Sequence, residues 1–173
     1  RYETLFPYTT LFRSYLVFQL GGFNALSLFN LLLFLMTFVL FFRIAQKQSD
    51  FSIALFMSVA LLPLFIFRRE VRPEVFSYLF CAVDYYLLWL FADNKLTFKK
   101  IILPIFFIQI LWVNIHLFFF VGIILAALFC LEDFFQRGFT TKTKNYLFML
   151  AGLLAVSVFN PAGFSGLIFP WEM

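Results

Sequence analysis

The chain has 173 residues, of which 64% are hydrophobic and only 13% charged, with a mean hydropathy of +0.96. A soluble domain carries about twice that charge fraction, so the composition excludes one and points to an all-α integral membrane protein in contact with the lipid bilayer. The net charge of +4 sits in short loops between apolar runs, as the basic flanks of membrane helices do, which argues against a nucleic-acid partner.

Residues 1–14 stand apart. The stretch TLFPYTTLFRS, Thr4 to Ser14, matches codon for codon the translation of a short-read sequencing adapter. It is therefore expected to be non-native and is set aside as a tag would be. Residues 15–173 are then expected to form a truncated multi-pass membrane domain that begins in mid-protein.

A spanning helix needs about 20 mostly apolar residues, because each rises about 1.5 Å through a core about 30 Å thick. By that measure the first span is Gly21 to Phe42, closed by Arg43 and Lys47, and the second is Phe51 to Phe67, closed by RREVRPE. The third starts at Glu74, after a proline suited to a first helical turn, and runs to the loop ADNKLTFKK. The apolar run Ile101 to Leu131 follows; as one straight helix it would be about 46 Å long, well beyond a bilayer core. In its middle lies WVNIH, Trp112 to His116, with an interfacial indole and two polar side chains. The reading is a helical hairpin turning near residues 112–116, with halves of about 13 and 15 residues by the same length rule. A last helix runs from Tyr146 to about Phe159 and breaks at NPAG. The fold expected is about six transmembrane or partly spanning helices.

Charge supports the hairpin. With it, the cytoplasmic loops hold Arg43, Lys47, Lys95, Lys99, Lys100, Arg137, Lys142 and Lys144, against Arg68, Arg69 and Arg72 on the other side. RREVRPE, WVNIH and NPAG then share one extracytoplasmic face.

On that face three arginines within five residues call for a reason. Arg68 and Arg69 are balanced between interfacial snorkelling, with Glu70 and Glu74 nearby, and anion binding. Arg72, bent out of helical geometry by Pro73, presents a planar cationic fork that suits a phosphate ester. His116 is the single histidine, and in a turn it and Asn114 could converge on one ligand, for phosphate contact or proton exchange. One histidine gives no metal site, and Cys81 and Cys130, in apolar segments without ligand spacing, add none. Asp84, about 15 Å deep in the third span, is too deep for a surface site and reads as a protonated or hydrogen-bonded carboxyl locking helices together, with Gln109 as candidate partner.

The segments RPEVFSYLF, LWVNIHLFFFVG and FNPAG, in that order, resemble the polytopic bacterial C-type glycosyltransferase superfamily, whose members often carry R-P-E/Q-x-F-S-Y-L, W-x-N-x-H-G-G-F-like and N-P-x-G segments. FQLGGFNALSLFNLLLFLMTFVLFFRIA also looks like their helix following a luminal amphipathic stretch. The resemblance covers nearly all of residues 15–173, with one departure: Leu117 and Phe118 replace the usual Gly-Gly after the histidine. It implies sugar transfer from a polyprenyl-phosphate donor on the extracytoplasmic side of a bacterial cytoplasmic membrane. It also implies an acidic catalytic residue, whose carboxylate activates the acceptor, in a first extracytoplasmic loop, upstream of residue 15. Arg72, Asn114, His116, Arg69 and Arg68 are the candidate substrate contacts; the catalytic base, the acceptor and any cofactor stay unassigned. A flippase or transporter of lipid-linked sugars, or a polysaccharide polymerase or ligase, are the alternative readings.

Overall fold

The computed structural model describes residues 5–66, 74–161 and 163–168. Its elements are helices α1 (Leu5–Gln48), α2 (Phe51–Ile66), α3 (Glu74–Ala92) and α4 (Phe98–Ile115), a 3-10 turn (Leu117–Phe119), then α5 (Phe120–Arg137), α6 (Thr141–Val156) and α7 (Phe164–Ile168). There is no strand among the described residues, and four helices are long and apolar enough to cross a bilayer, in α1, α3, α4 and the stretch Leu117–Arg137. The protein is an all-α, multi-pass membrane protein. The chain divides into two compact units, up to Ala82 and from Val83.

In the first unit α1 is two helices joined at a break, where Gly22 takes φ 62° and ψ −150°, a conformation that glycine adopts without steric cost. The first predicted span thus starts at a real discontinuity, although the helix resumes and runs past Phe42 to Gln48. Ser49 and Asp50 turn the chain into α2. Leu33, Thr37 and Ile44 are buried on α1, and Ala54 on α2. Buried Thr37 does not leave its hydroxyl orphaned, because Oγ1 donates to the Leu33 carbonyl at 2.8 Å. The Phe42 and Phe51 rings meet edge to face across the connection, 6.1 Å between centroids.

The second unit is built on stripes at four-residue spacing. The buried residues Ile101, Ile105 and Gln109 rise along α4, and Gly122, Ala126 and Cys130 descend along α5, as one face of an α-helix requires. Leu88 and Phe91 of α3 and Tyr146, Met149 and Leu153 of α6 complete this core with Ile101, Ile105, Ala126 and Cys130. α6 fits closely against α4: a Cβ on Gly152 would fall 2.1 Å from Cζ of Phe106. Without a hydrophobic force between helices in lipid, such close approach at small residues is what holds them together.

The expected reversal is present but lies at the far end of residues 112–116, whose first four are still helical. α4 ends at Ile115, His116 is extended (φ −151°, ψ 148°), and the chain returns through the 3-10 turn into α5. Both arms are longer than the apolar run suggests, at 18 residues each. α4 begins three residues before Ile101 and takes in Lys99 and Lys100; α5 continues beyond Leu131 through Glu132 to Arg137. Long basic side chains at helix ends carry their charge toward water while their stems stay against apolar surface. α6 likewise begins at Thr141, five residues before Tyr146 and its apolar stretch.

The two basic connections lie at one end. Lys142 Nζ donates to the Ala92 carbonyl at 2.6 Å and to Asn94 Oδ1 at 2.9 Å, tying the start of α6 to the end of α3. The α3–α4 loop with Lys95 and the α5–α6 turn with Arg137 therefore share a side, as the charge count requires. At the turn Gly138 has φ 73° and its N–H caps the Phe134 carbonyl, a helix ending that favours glycine. Thr140 and Thr143 form a reciprocal capping box. Both hydroxyls also donate to Asp133 Oδ2, at 3.1 and 2.8 Å, and Arg137 lies 3.3 Å from Oδ1. This accounts for a carboxylate buried at 7% exposure.

Candidate functional site

At the opposite end of the second unit the structure joins two of the motifs singled out in the sequence. Asn114 lies in the last turn of α4, and its Nδ2 donates to the Ile110 carbonyl and to the Phe159 carbonyl, both at 2.8 Å. WVNIH and FNPAG are thereby held together by a side chain from one on the backbone of the other. The FNPAG turn is fastened internally as well. Asn160 Nδ2 donates to the carbonyls of Ser157 and Gly163, each at 2.9 Å, and a Cβ on Gly166 would run into the Asn160 amide.

His116 sits at the bend. Its Nδ1 accepts from the Phe118 N–H at 3.3 Å and so caps the 3-10 turn, while its ring packs edge to face on Phe118, 4.6 Å between centroids. A ring nitrogen that accepts carries no proton, so the neutral imidazole in this arrangement has its N–H on Nε2. Such a donor is chemically suited to a phosphate oxygen. Leu117 and Phe118, the residues that depart from the family pattern, belong to the 3-10 turn that His116 caps. The two polar residues of WVNIH thus have distinct structural tasks, Asn114 within a helix and His116 outside it. Arg68, Arg69 and Arg72 lie outside the described residues, as does Glu70.

Beneath this end lies a buried polar layer. Asp84 of α3, Gln109 of α4 and Ser157 after α6 are 2%, 0% and 0% exposed. Gln109 Nε2 donates to Ser157 Oγ at 2.8 Å and to the Phe119 carbonyl at 3.3 Å; Ser157 Oγ donates in turn to the Leu153 carbonyl at 2.7 Å. Asp84 and Gln109 both border Gly122: Asp84 Oδ2 and Gln109 Oε1 each lie 3.0 Å from the position a Cβ there would take. Ser157 and Gly122 were not among the residues marked by the sequence. A serine before a helix break and a glycine in an apolar run have no signal that separates them from ordinary membrane-helix residues.

Among the described residues no group of three or more His, Cys, Asp or Glu side chains is placed to hold a metal ion. No protein-family model, curated protein or solved structure matches the chain.

Proposed function

We propose that this chain is part of a membrane-embedded glycosyltransferase that takes a sugar from a polyprenyl-phosphate donor on the extracytoplasmic face of a bacterial cytoplasmic membrane. The observation that carries the reading is the Asn114–Phe159 hydrogen bond, which joins two of the three motifs of the resemblance at one end of the bundle. In the reaction the bond between the sugar C1 and the phosphate oxygen breaks as the acceptor oxygen bonds to C1, and the acceptor proton passes to a carboxylate base. Charge builds on the departing phosphate, so cations and N–H donors at that position lower the barrier. Arg72 is assigned the phosphate contact, with Arg69 and Arg68 flanking it. Within the second unit His116 and Asn114 are assigned to substrate contact, where Nε2–H of His116 would supply a donor.

The test is made in membranes expressing the full-length protein. Supplied with radiolabelled polyprenyl-phosphate sugar, they are expected to form a new labelled glycoconjugate and release polyprenyl phosphate. A flippase would move the labelled lipid between leaflets with its sugar bond intact. That result would replace the transferase reading with the transport one.

A further inference from the structure

We infer that the interior of the second unit holds a proton-binding site, formed by Asp84 and Gln109 beside Gly122, in which the Asp84 carboxyl is the neutral acid and donates its O–H to Gln109 Oε1. It requires nothing of the proposed transfer reaction.

Asp84 and Gln109 each keep a buried acceptor oxygen with no donor, and the second Asp84 oxygen lies on the Gln109 side of Gly122. Asp84 Oδ1 and Gln109 Oε1 are buried without a hydrogen-bond partner among the described residues, although buried polar atoms in native proteins are almost always paired. Asp84 Oδ2 and Gln109 Oε1 converge on one point, the space beside Gly122, at 3.0 Å each. Turning the Gln109 amide over does not cure this. Its NH2 is spent on Ser157 Oγ and the Phe119 carbonyl, and a flip would set the amide oxygen against that carbonyl.

Ser157 cannot supply the missing proton either, because its hydroxyl hydrogen goes to the Leu153 carbonyl. The side chains that share the space beside Gly122 with the carboxyl are Gln109 and Trp112 of α4, with Ser157 bonded to the amide; none of these titrates in the accessible range. A bridging water would give these oxygens a donor but leave the carboxylate charge buried among apolar helices, whereas a small cation or a proton offsets that charge. Hard metal cations take about six or more oxygens, and this layer offers one carboxyl and one amide oxygen. A proton needs only those two. Carried on Asp84, it removes a charge that hydrocarbon would not tolerate and turns one acceptor into the donor that the other lacks.

Infrared spectroscopy of the purified protein in lipid nanodiscs tests this directly. At neutral pH the difference between wild type and Asp84→Asn is expected to contain the C=O stretch of a protonated carboxyl, lost in the variant. In Gln109→Leu the band is expected to persist at higher frequency, because the O–H has lost its acceptor. In the wild type alone, sodium or lithium at otherwise constant ionic strength is expected to leave the melting temperature unmoved. A wild-type spectrum without a protonated carboxyl band, a band that Gln109→Leu does not shift, or a melting temperature that rises with sodium would overturn the assignment.

Discussion

The Asn114 amide donates to the carbonyl oxygen of Phe159 at 2.8 Å across 45 residues of sequence, and to its own helix at Ile110 with the other hydrogen. Asn114→Ala removes both bonds and leaves the Phe159 carbonyl without this donor. The expected loss is about 1–3 kcal/mol. Asn114→Asp should be at least as damaging, since an ionised carboxylate only accepts and would face two carbonyl oxygens. Melting temperatures in one detergent at one concentration check this, and a wild-type value for Asn114→Asp would show that the hydrogen bond does not hold the two motifs together.

Gly152→Ala should destabilise the α4–α6 contact, because the new methyl would fall 2.1 Å from Phe106 Cζ. Overpacking of this kind costs about 1–3 kcal/mol. The loss should be recovered in large part in Gly152→Ala with Phe106→Leu, since neighbouring residues couple strongly in a double-mutant cycle. Additive losses would place Phe106 elsewhere.

The arrangement of the loops predicts a labelling pattern. In a variant with Cys81 and Cys130 replaced by alanine, single cysteines at Lys95 and Phe139 should react with a membrane-impermeant thiol reagent from the same side. A cysteine at Pro161 should react only from the other. Phe139 and Pro161 are both exposed. Labelling of Lys95 and Phe139 from opposite sides would break the hairpin at His116.

Much of this fold is legible from residue chemistry. The hairpin follows from a length too great for one span and from where lysines and arginines fall. Asp84 and Gln109 are legible as buried polar residues deep in apolar helices, whereas the Gln109 bond to Ser157 is not. The ends of α4, α5 and α6 are less so. A count of apolar residues stops at Lys100, Glu132 and Tyr146, whereas the helices continue through polar turns stabilised by contacts between elements, such as Lys142 on Ala92 and Thr143 on Asp133. The task of Asn114 is hidden for the same reason: Phe159 is 45 residues away, and no local pattern announces a side chain that caps a distant backbone. His116 depends on a local cap, the Phe118 N–H, yet a histidine two residues before a phenylalanine is not a capping signal on its own.

The most direct test of the glycosyltransferase reading is sugar transfer from radiolabelled polyprenyl-phosphate sugar by membranes carrying the full-length protein, with wild type, Arg72→Ala, Arg72→Lys and Arg68→Ala at matched protein levels. A charge-assisted phosphate contact contributes about 1.5–3 kcal/mol, so Arg72→Ala should lower transfer efficiency by roughly one to two powers of ten. Arg72→Lys should recover little, since an ammonium cannot reproduce a bidentate fork, and Arg68→Ala should be mild. Transfer by Arg72→Ala at the wild-type rate would contradict the assignment of the donor phosphate to Arg72, and absence of any transfer by the wild type would contradict the function itself.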